Sequence, residues 1–275
     1  MDISGAIMLG VVQGLTEFLP VSSSGHLVLL QKLFGIQEPA LLFDTMLHAG
    51  TLLAVFVVLR RDILAILRRI IQPLTGFLIL ATIPAVVAAL VFEDAIEHAF
   101  QSGRFLGFSF LFTSALLIIA ELLSRRTINS KKMTVIDALV IGVLQAVAII
   151  PGVSRSGATI SGALSRGLER NFAARFSFLL SIPAILGALV FQLKDLLKAP
   201  LTADVANGGS VGGNANGISA VAIIAGTASA AIVGFFAMHL MLKIVREKSL
   251  FGFAIYTAAL GALVIVDQCV THSVF

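Results

Sequence analysis

A chain of 275 residues with a hydrophobic fraction of 58%, only 12% charged residues and a mean hydropathy of +1.02 reads as a polytopic membrane protein, not a soluble domain. Its net charge of +4 and pI near 9.6 do not point to nucleic acid, because the basic residues stand in short clusters between apolar runs, the pattern of positive-inside topology. The lone Cys269 excludes an internal disulfide and a thiolate zinc site, and an N-terminus carrying Asp2 but no basic region does not read as a cleaved signal peptide.

Residues 1–34 are apolar but interrupted in the middle by Pro20 and three serines. Two helices of about 15 residues rise about 22 Å each, short of the ~30 Å hydrocarbon core, so a re-entrant hairpin is predicted and not a crossing. Residues 42–59 read as a full span closing on Arg60, Arg61, Arg68 and Arg69. A second span is predicted over 76–92, with Pro84 as a tolerated kink. Glu93–Glu97 reads as an acidic loop, and a third span over 105–123 ends in SRRTINSKK. Residues 136–168 form a second broken hairpin, followed by Arg170 and Arg175, and spans at 176–192, 218–242 and 250–268 complete the chain. The first two of these are separated by ADVANGGSVGGNANG, a Gly/Asn/Ala-rich loop of flexible composition.

The two broken segments are copies of one another. Shifted by 132 residues without a gap, GVVQGLTEFLPVSSSGH (10–26) aligns with GVLQAVAIIPGVSRSGA (142–158), pairing Gly10 with Gly142, Gln13 with Gln145, Ser22 with Ser154, Ser24 with Ser156 and Gly25 with Gly157. The pairs that differ carry the chemistry: Glu17 faces Ile149, Ser23 faces Arg155 and His26 faces Ala158, giving one acidic, nucleophilic copy and one cationic copy. The fold predicted is an all-α integral membrane protein, one membrane domain built from inverted-topology repeats over 1–132 and 133–275, with six transmembrane helices plus two re-entrant helix hairpins. Three crossings per copy, an odd number, require the inversion. The basic clusters at 60–69, 125–132, 166–175 and 243–248 then share one side, the cytoplasm, and hold fourteen of the nineteen Lys and Arg residues. Both termini fall outside, the first hairpin enters from outside, and the two tips meet near the midplane.

Ionisable groups at membrane depth are costly and mark function. Glu17 lies within an apolar helix, with Gln13 one turn before it on the same face. After Pro20, the serines open a second short helix whose backbone N–H groups and dipole suit an anion, and Ser154–Gly157 repeats this with the planar fork of Arg155 added. A serine hydroxyl is a weak nucleophile until a base takes its proton, and Glu17 and His26 are both candidates; His26, one turn past Ser23, could itself be the nucleophile, and a structural histidine is the other alternative there. Gln13 can position a water, orient Glu17 or offer a carbonyl to a metal ion. Asp44 and His48 could line the same pocket, with a packing role as the alternative; Thr159 could cap its helix and touch a phosphate oxygen; Glu121 is expected to snorkel to the interface, and Asp267 and His239 read as interfacial.

QGLTE, PVSSSGH and PGVSRSGAT resemble the signatures of the bacterial undecaprenyl-pyrophosphate phosphatases of the bacitracin-resistance type, and the resemblance runs along the whole chain. It implies an inner-membrane hydrolase that removes the terminal phosphate of the C55 lipid pyrophosphate and recycles the carrier used for peptidoglycan, with bacitracin resistance as a consequence. The family's first motif is Glu or Gln, three residues, then Glu; here it is Gln13 and Glu17, which leaves one carboxylate. The serine motif carries over to Ser22, Ser23, Ser24, Gly25 and His26, and the arginine motif to Ser154, Arg155, Ser156, Gly157 and Thr159. On that reading Ser23, Glu17, His26 and Arg155 are catalytic and the others bind substrate. The resemblance also implies a divalent cation, Mg2+ or Ca2+, with Glu17 as its protein ligand. The partners expected are the lipid pyrophosphate and bilayer lipids, not nucleic acid, and a homodimer is an open candidate for the assembly. The same broken helices also suit a secondary transporter of lipid phosphate; that protein would need Arg155 but no nucleophile, so Ser23 separates the two readings.

Overall fold

The structure is a computed structural model and describes residues 1–34, 41–124, 131–198, 218–271 and 274. The Gly/Asn-rich segment and the first two arginines of the 125–132 cluster lie outside the described residues. Twelve α-helices are found among the described residues: α1 (Ile3–Phe18), α2 (Ser23–Leu33), α3 (Leu41–Val58), α4 (Arg60–Arg68), α5 (Pro73–Val91), α6 (Glu93–Ser102), α7 (Leu106–Ser124), α8 (Val135–Val147), α9 (Arg155–Ser165), α10 (Arg170–Lys198), α11 (Ala220–Glu247) and α12 (Phe251–Val266). A π-helical turn over Asp267–Thr271 extends α12. Five of them, α5, α7, α10, α11 and α12, are long and apolar enough to cross a membrane, while α1, α3 over Phe43–Val58 and α8 are shorter apolar helices. Each sits at a place where the sequence predicts a span or half of a hairpin.

Capping shows why the broken segments break where they do. Asp2 accepts from the Gly5 N–H at the start of α1, and Thr134 and Asp137 form a reciprocal capping box at the start of α8. Ser22 and Ser154 cap α2 and α9 in the same way, each hydroxyl accepting the N–H three residues on, from Gly25 and Gly157. Asp2 and Thr134, like Ser22 and Ser154, are 132 residues apart, so the caps keep the register of the sequence copies.

Close helix packing obeys the same register. At Gly10 a Cβ would stand 2.3 Å from the Gly226 carbonyl oxygen of α11, and at Gly142 it would stand 2.6 Å from the Ala81 oxygen of α5. The missing side chains let α1 lie against α11 and α8 against α5, backbone to backbone. On the far side α7 and α12 meet through Gly107 and Gly261, each facing the other's carbonyl oxygen. Helix α3 packs on both α11 and α10, and the largest buried cluster, with Phe18, Val55, Leu117, Ile141, Phe176, Phe178 and Met241, lies among these helices.

The basic clusters are joined to one another. Arg175 pairs with Asp62 of α4 at 2.8 Å, Arg166 and Lys131 share the buried Asp137 at 2.8 Å each, and Arg170 donates to the Val245 and Lys248 carbonyls. Segments 60–69, 131–132, 166–175 and 243–248 therefore gather at one end of the bundle.

Two expectations are corrected here. The acidic stretch from Glu93 is not a loop but the start of α6, whose acidic first turn favours its own N-terminus and which stops at Gly103 in the left-handed region (φ 64°). Glu121 does not snorkel: it is buried, pairs with Arg170 at 3.1 Å and accepts the Leu250 N–H, tying α7 to α10 and to the turn before α12. A cation three elements away decides its position, which local sequence does not reveal.

Candidate active site

The break between α1 and α2 and the break between α8 and α9 touch. The Ser156 hydroxyl donates to the Leu19 carbonyl at 3.1 Å, the Gly152 N–H reaches the Ser24 hydroxyl at 3.4 Å, and a Cβ at Gly157 would stand 3.3 Å from the Pro20 ring. Gly25 has no room for a side chain, since a Cβ there would lie 2.6 Å from the Phe110 ring of α7 and 3.1 Å from the Gly152 Cα. The two helix N-termini, α2 and α9, thus start from one shared junction.

Glu17 is at its centre. One carboxylate oxygen, Oε1, is paired with the Arg155 guanidinium from the opposite tip. The other, Oε2, accepts from the Ser23 hydroxyl at 2.6 Å and from the Gln13 amide at 3.1 Å. His48 of α3 brings Nε2 to 3.9 Å from Oε2, beyond hydrogen-bonding range, while its Nδ1 donates to the Asp44 carbonyl at 2.8 Å. Glu17 is nearly sealed from solvent, whereas Ser23, Arg155 and His48 are partly exposed, so the cluster opens on the side of Ser23, Arg155 and His48. The Ser23 hydroxyl is thus held on a buried carboxylate whose other oxygen carries a guanidinium, and that carboxylate is a proton acceptor already in contact with the hydroxyl.

The serines around it have different jobs. Ser22 and Ser24 lie 3.3 Å apart, as do Ser154 and Ser156 at 3.2 Å, so the pairing recurs in both tips. The Thr159 hydroxyl is turned inward, donating to the Arg155 carbonyl at 2.8 Å and standing 2.6 Å from the Ser177 hydroxyl. Gln13 is fully buried with its carbonyl oxygen unpartnered among the described residues, and both amide atoms of its counterpart Gln145 are unpartnered too.

His26 bridges the first break and α12. Its Nδ1 donates to the Ser22 carbonyl at 2.7 Å, which leaves Nε2 to accept from the Tyr256 hydroxyl of α12, also at 2.7 Å. Sequence reasoning missed Tyr256, which is 230 residues from His26, and Thr113 of α7, whose hydroxyl accepts the Ser154 N–H at 3.0 Å. Asp44 faces Gln31 of α2, 3.3 Å away, and so joins the polar side of α3 to the first hairpin.

The donor set bears on the divalent cation. Among the described residues no three His, Cys, Asp or Glu side chains converge, and both oxygens of Glu17, the carboxylate at the junction, are engaged. These residues do not form a resident metal cage.

The sequence model of a family described as bacitracin resistance protein BacA matches residues 6–263. The chain is 46% identical over 265 residues to an undecaprenyl-diphosphatase of Carboxydothermus hydrogenoformans, covering 96% of each protein. It is 43% identical over 266 residues to undecaprenyl-diphosphatase 4 of Bacillus thuringiensis subsp. konkukian, again covering 96% of each. It is 38% identical over 288 residues to an undecaprenyl-diphosphatase of Methanosphaera stadtmanae, covering 97% of this chain and 98% of that one.

Proposed function

This chain belongs to the bacitracin resistance protein BacA family, and from that premise we propose that it hydrolyses undecaprenyl pyrophosphate to undecaprenyl phosphate and inorganic phosphate, with Ser23 as nucleophile. The observation that carries the reading is the chain of contacts Ser23–Glu17–Arg155 across the junction of the two tips. Ser23 Oγ gives its proton to Glu17 Oε2 as it attacks the terminal phosphorus; the P–O bond to the bridging oxygen breaks, and the lipid monophosphate leaves. That proton passes to the departing lipid monophosphate, so Glu17 is a carboxylate again; it then takes a proton from the water that attacks the phosphoserine and returns it to Ser23 Oγ as the O–P bond breaks to release phosphate. Arg155 and the first N–H groups of α2 and α9 lie beside the phosphoryl oxygens and stabilise their charge in the transition state. Ser22, Ser24, Ser154, Ser156 and Gly157 shape that anion site, Gln13 holds Glu17, and Thr159 braces the Arg155 backbone.

With no group of three metal-ligating side chains among the described residues, Mg2+ or Ca2+ would come with the pyrophosphate as its counter-ion and would supply further charge neutralisation. The isoprenoid lies along the apolar spans. The test is phosphate release from undecaprenyl pyrophosphate by the purified protein in detergent, with each cation added in turn. Release of one phosphate per lipid monophosphate is expected; a protein that binds the lipid and releases no phosphate with any cation is a carrier, and the reading falls.

The reciprocal packing of Gly10 and Gly142, and the paired caps, support two inverted copies over 1–132 and 133–275 with both hairpins re-entrant. The gathering of the basic clusters at one end supports a cytoplasmic end there, and hence a periplasmic opening for Ser23 in the cytoplasmic membrane of a bacterium. In a Cys269→Ser background, Ser24→Cys is expected to react with an impermeant maleimide added outside intact cells. Labelling only from the cytoplasmic face would reverse the orientation.

A further inference from the structure

Ser22 is the one non-glycine residue with positive φ among the described residues (φ 72°, ψ 101°), a sparsely populated conformation for a residue with a Cβ. Its counterpart Ser154 is unstrained (φ −71°) and has Ala158 where the first tip has His26. Strain and histidine therefore occur together, and the His26 Nδ1–H adds to the His26 backbone N–H on the Ser22 carbonyl a side-chain hydrogen bond that Ala158 cannot make in the second copy. This contact needs a proton on Nδ1, and acceptance of the Tyr256 hydroxyl proton needs Nε2 unprotonated. The Tyr256 hydroxyl, donating to Nε2 at 2.7 Å with its ring stacked 5.7 Å from the imidazole, selects that form, and the Phe110 ring closes the imidazole's edge.

We propose that Tyr256 is a positioning residue for the hydrolysis: through His26 it fixes the Ser22 turn that aims Ser23 at Glu17. The inference rests on the phosphatase reading above. It also makes His26 a brace and not a nucleophile, because the nitrogen that would attack is already accepting the phenol proton. Tyr256 reaches the first tip from the far half of the chain, so α12 completes a site whose reacting groups lie on α1, α2 and α9.

Tyr256 is the single tyrosine of a chain with no tryptophan, so emission excited at wavelengths longer than phenylalanine absorbs belongs to it alone. A phenol donating to imidazole is quenched, and His26→Ala is expected to raise the emission. Tyr256→Phe keeps the stacked ring and removes one hydrogen bond; kcat is expected to fall about tenfold with KM unchanged. In the His26→Ala background the same substitution is expected to cost nothing further. Unchanged emission in His26→Ala, wild-type kcat in Tyr256→Phe, or equal losses in both backgrounds would each overturn the proposal. The emission arm needs no turnover, so it still reads the Tyr256–His26 pair if the protein releases no phosphate and the phosphatase reading itself fails.

Discussion

Replacing Ser23 with alanine is expected to lower kcat for phosphate release by about 10^3- to 10^5-fold while lipid binding persists, because in the proposed mechanism the substitution deletes the attacking atom and leaves the proposed anion site standing. The loss is large because no neighbour can substitute. The Ser22 hydroxyl is committed to the Gly25 N–H and sits on a strained backbone, and the Ser24 hydroxyl accepts from Gly152. Neither donates to Glu17, whereas Ser23 does at 2.6 Å. His26 has both ring nitrogens engaged. Radiolabelled terminal phosphate should be trapped on the wild-type protein by rapid denaturation, on a serine, and be absent from Ser23→Ala. An alanine variant that turns over at the wild-type rate would transfer the attack to water and reduce Ser23 to an anion ligand. The same measurement separates enzyme from carrier, since a carrier would lose little when one hydroxyl is removed.

Much of this site is legible in sequence, and the reason is the repeat. A gap-free shift of 132 residues marks Glu17, Ser23, His26 and Arg155 as positions where the copies part, and a broken apolar segment too short to cross predicts that they sit at tips. The two helix breaks do touch, and Glu17 is paired there with Arg155. The remainder depends on contacts that leave no local trace. Tyr256 lies in an apolar helix with nothing beside it to signal a polar partner, and Thr113 reads as one more small residue in a span. Glu121 looks interfacial until Arg170 is seen to reach it, because ion pairing between distant elements has no periodicity to read. Helices α4 and α6 are hidden for a different reason. Each is short and charged, and hydropathy marks spans, not amphipathic helices lying beside them.

The second large effect is expected at Arg155, and there stability and catalysis pull apart. Arg155→Ala leaves the Glu17 carboxylate buried with its cation gone, a loss of about 3 kcal/mol that should lower the unfolding temperature in detergent. Pairing it with Glu17→Gln removes the stranded charge, so the double variant should regain most of that stability while staying inactive. Arg155→Lys is the sharper probe of chemistry. It keeps a positive charge beside Glu17 but not the planar fork, and kcat/KM is expected to fall by about 10^2- to 10^3-fold with little change in unfolding temperature. If lysine supports near wild-type turnover, the guanidinium is holding the two tips together and a point charge suffices for the phosphoryl group. If lysine fails while the protein stays folded, the fork itself meets the transferring phosphoryl oxygens. The pairing with Glu17 is then the resting state of a group that must divide its donors between carboxylate and phosphate. That division also explains why the arginine comes from the copy without a carboxylate of its own: Ile149 stands where Glu17 does in the first tip, so Arg155 has no partner in its own tip and is free to reach across.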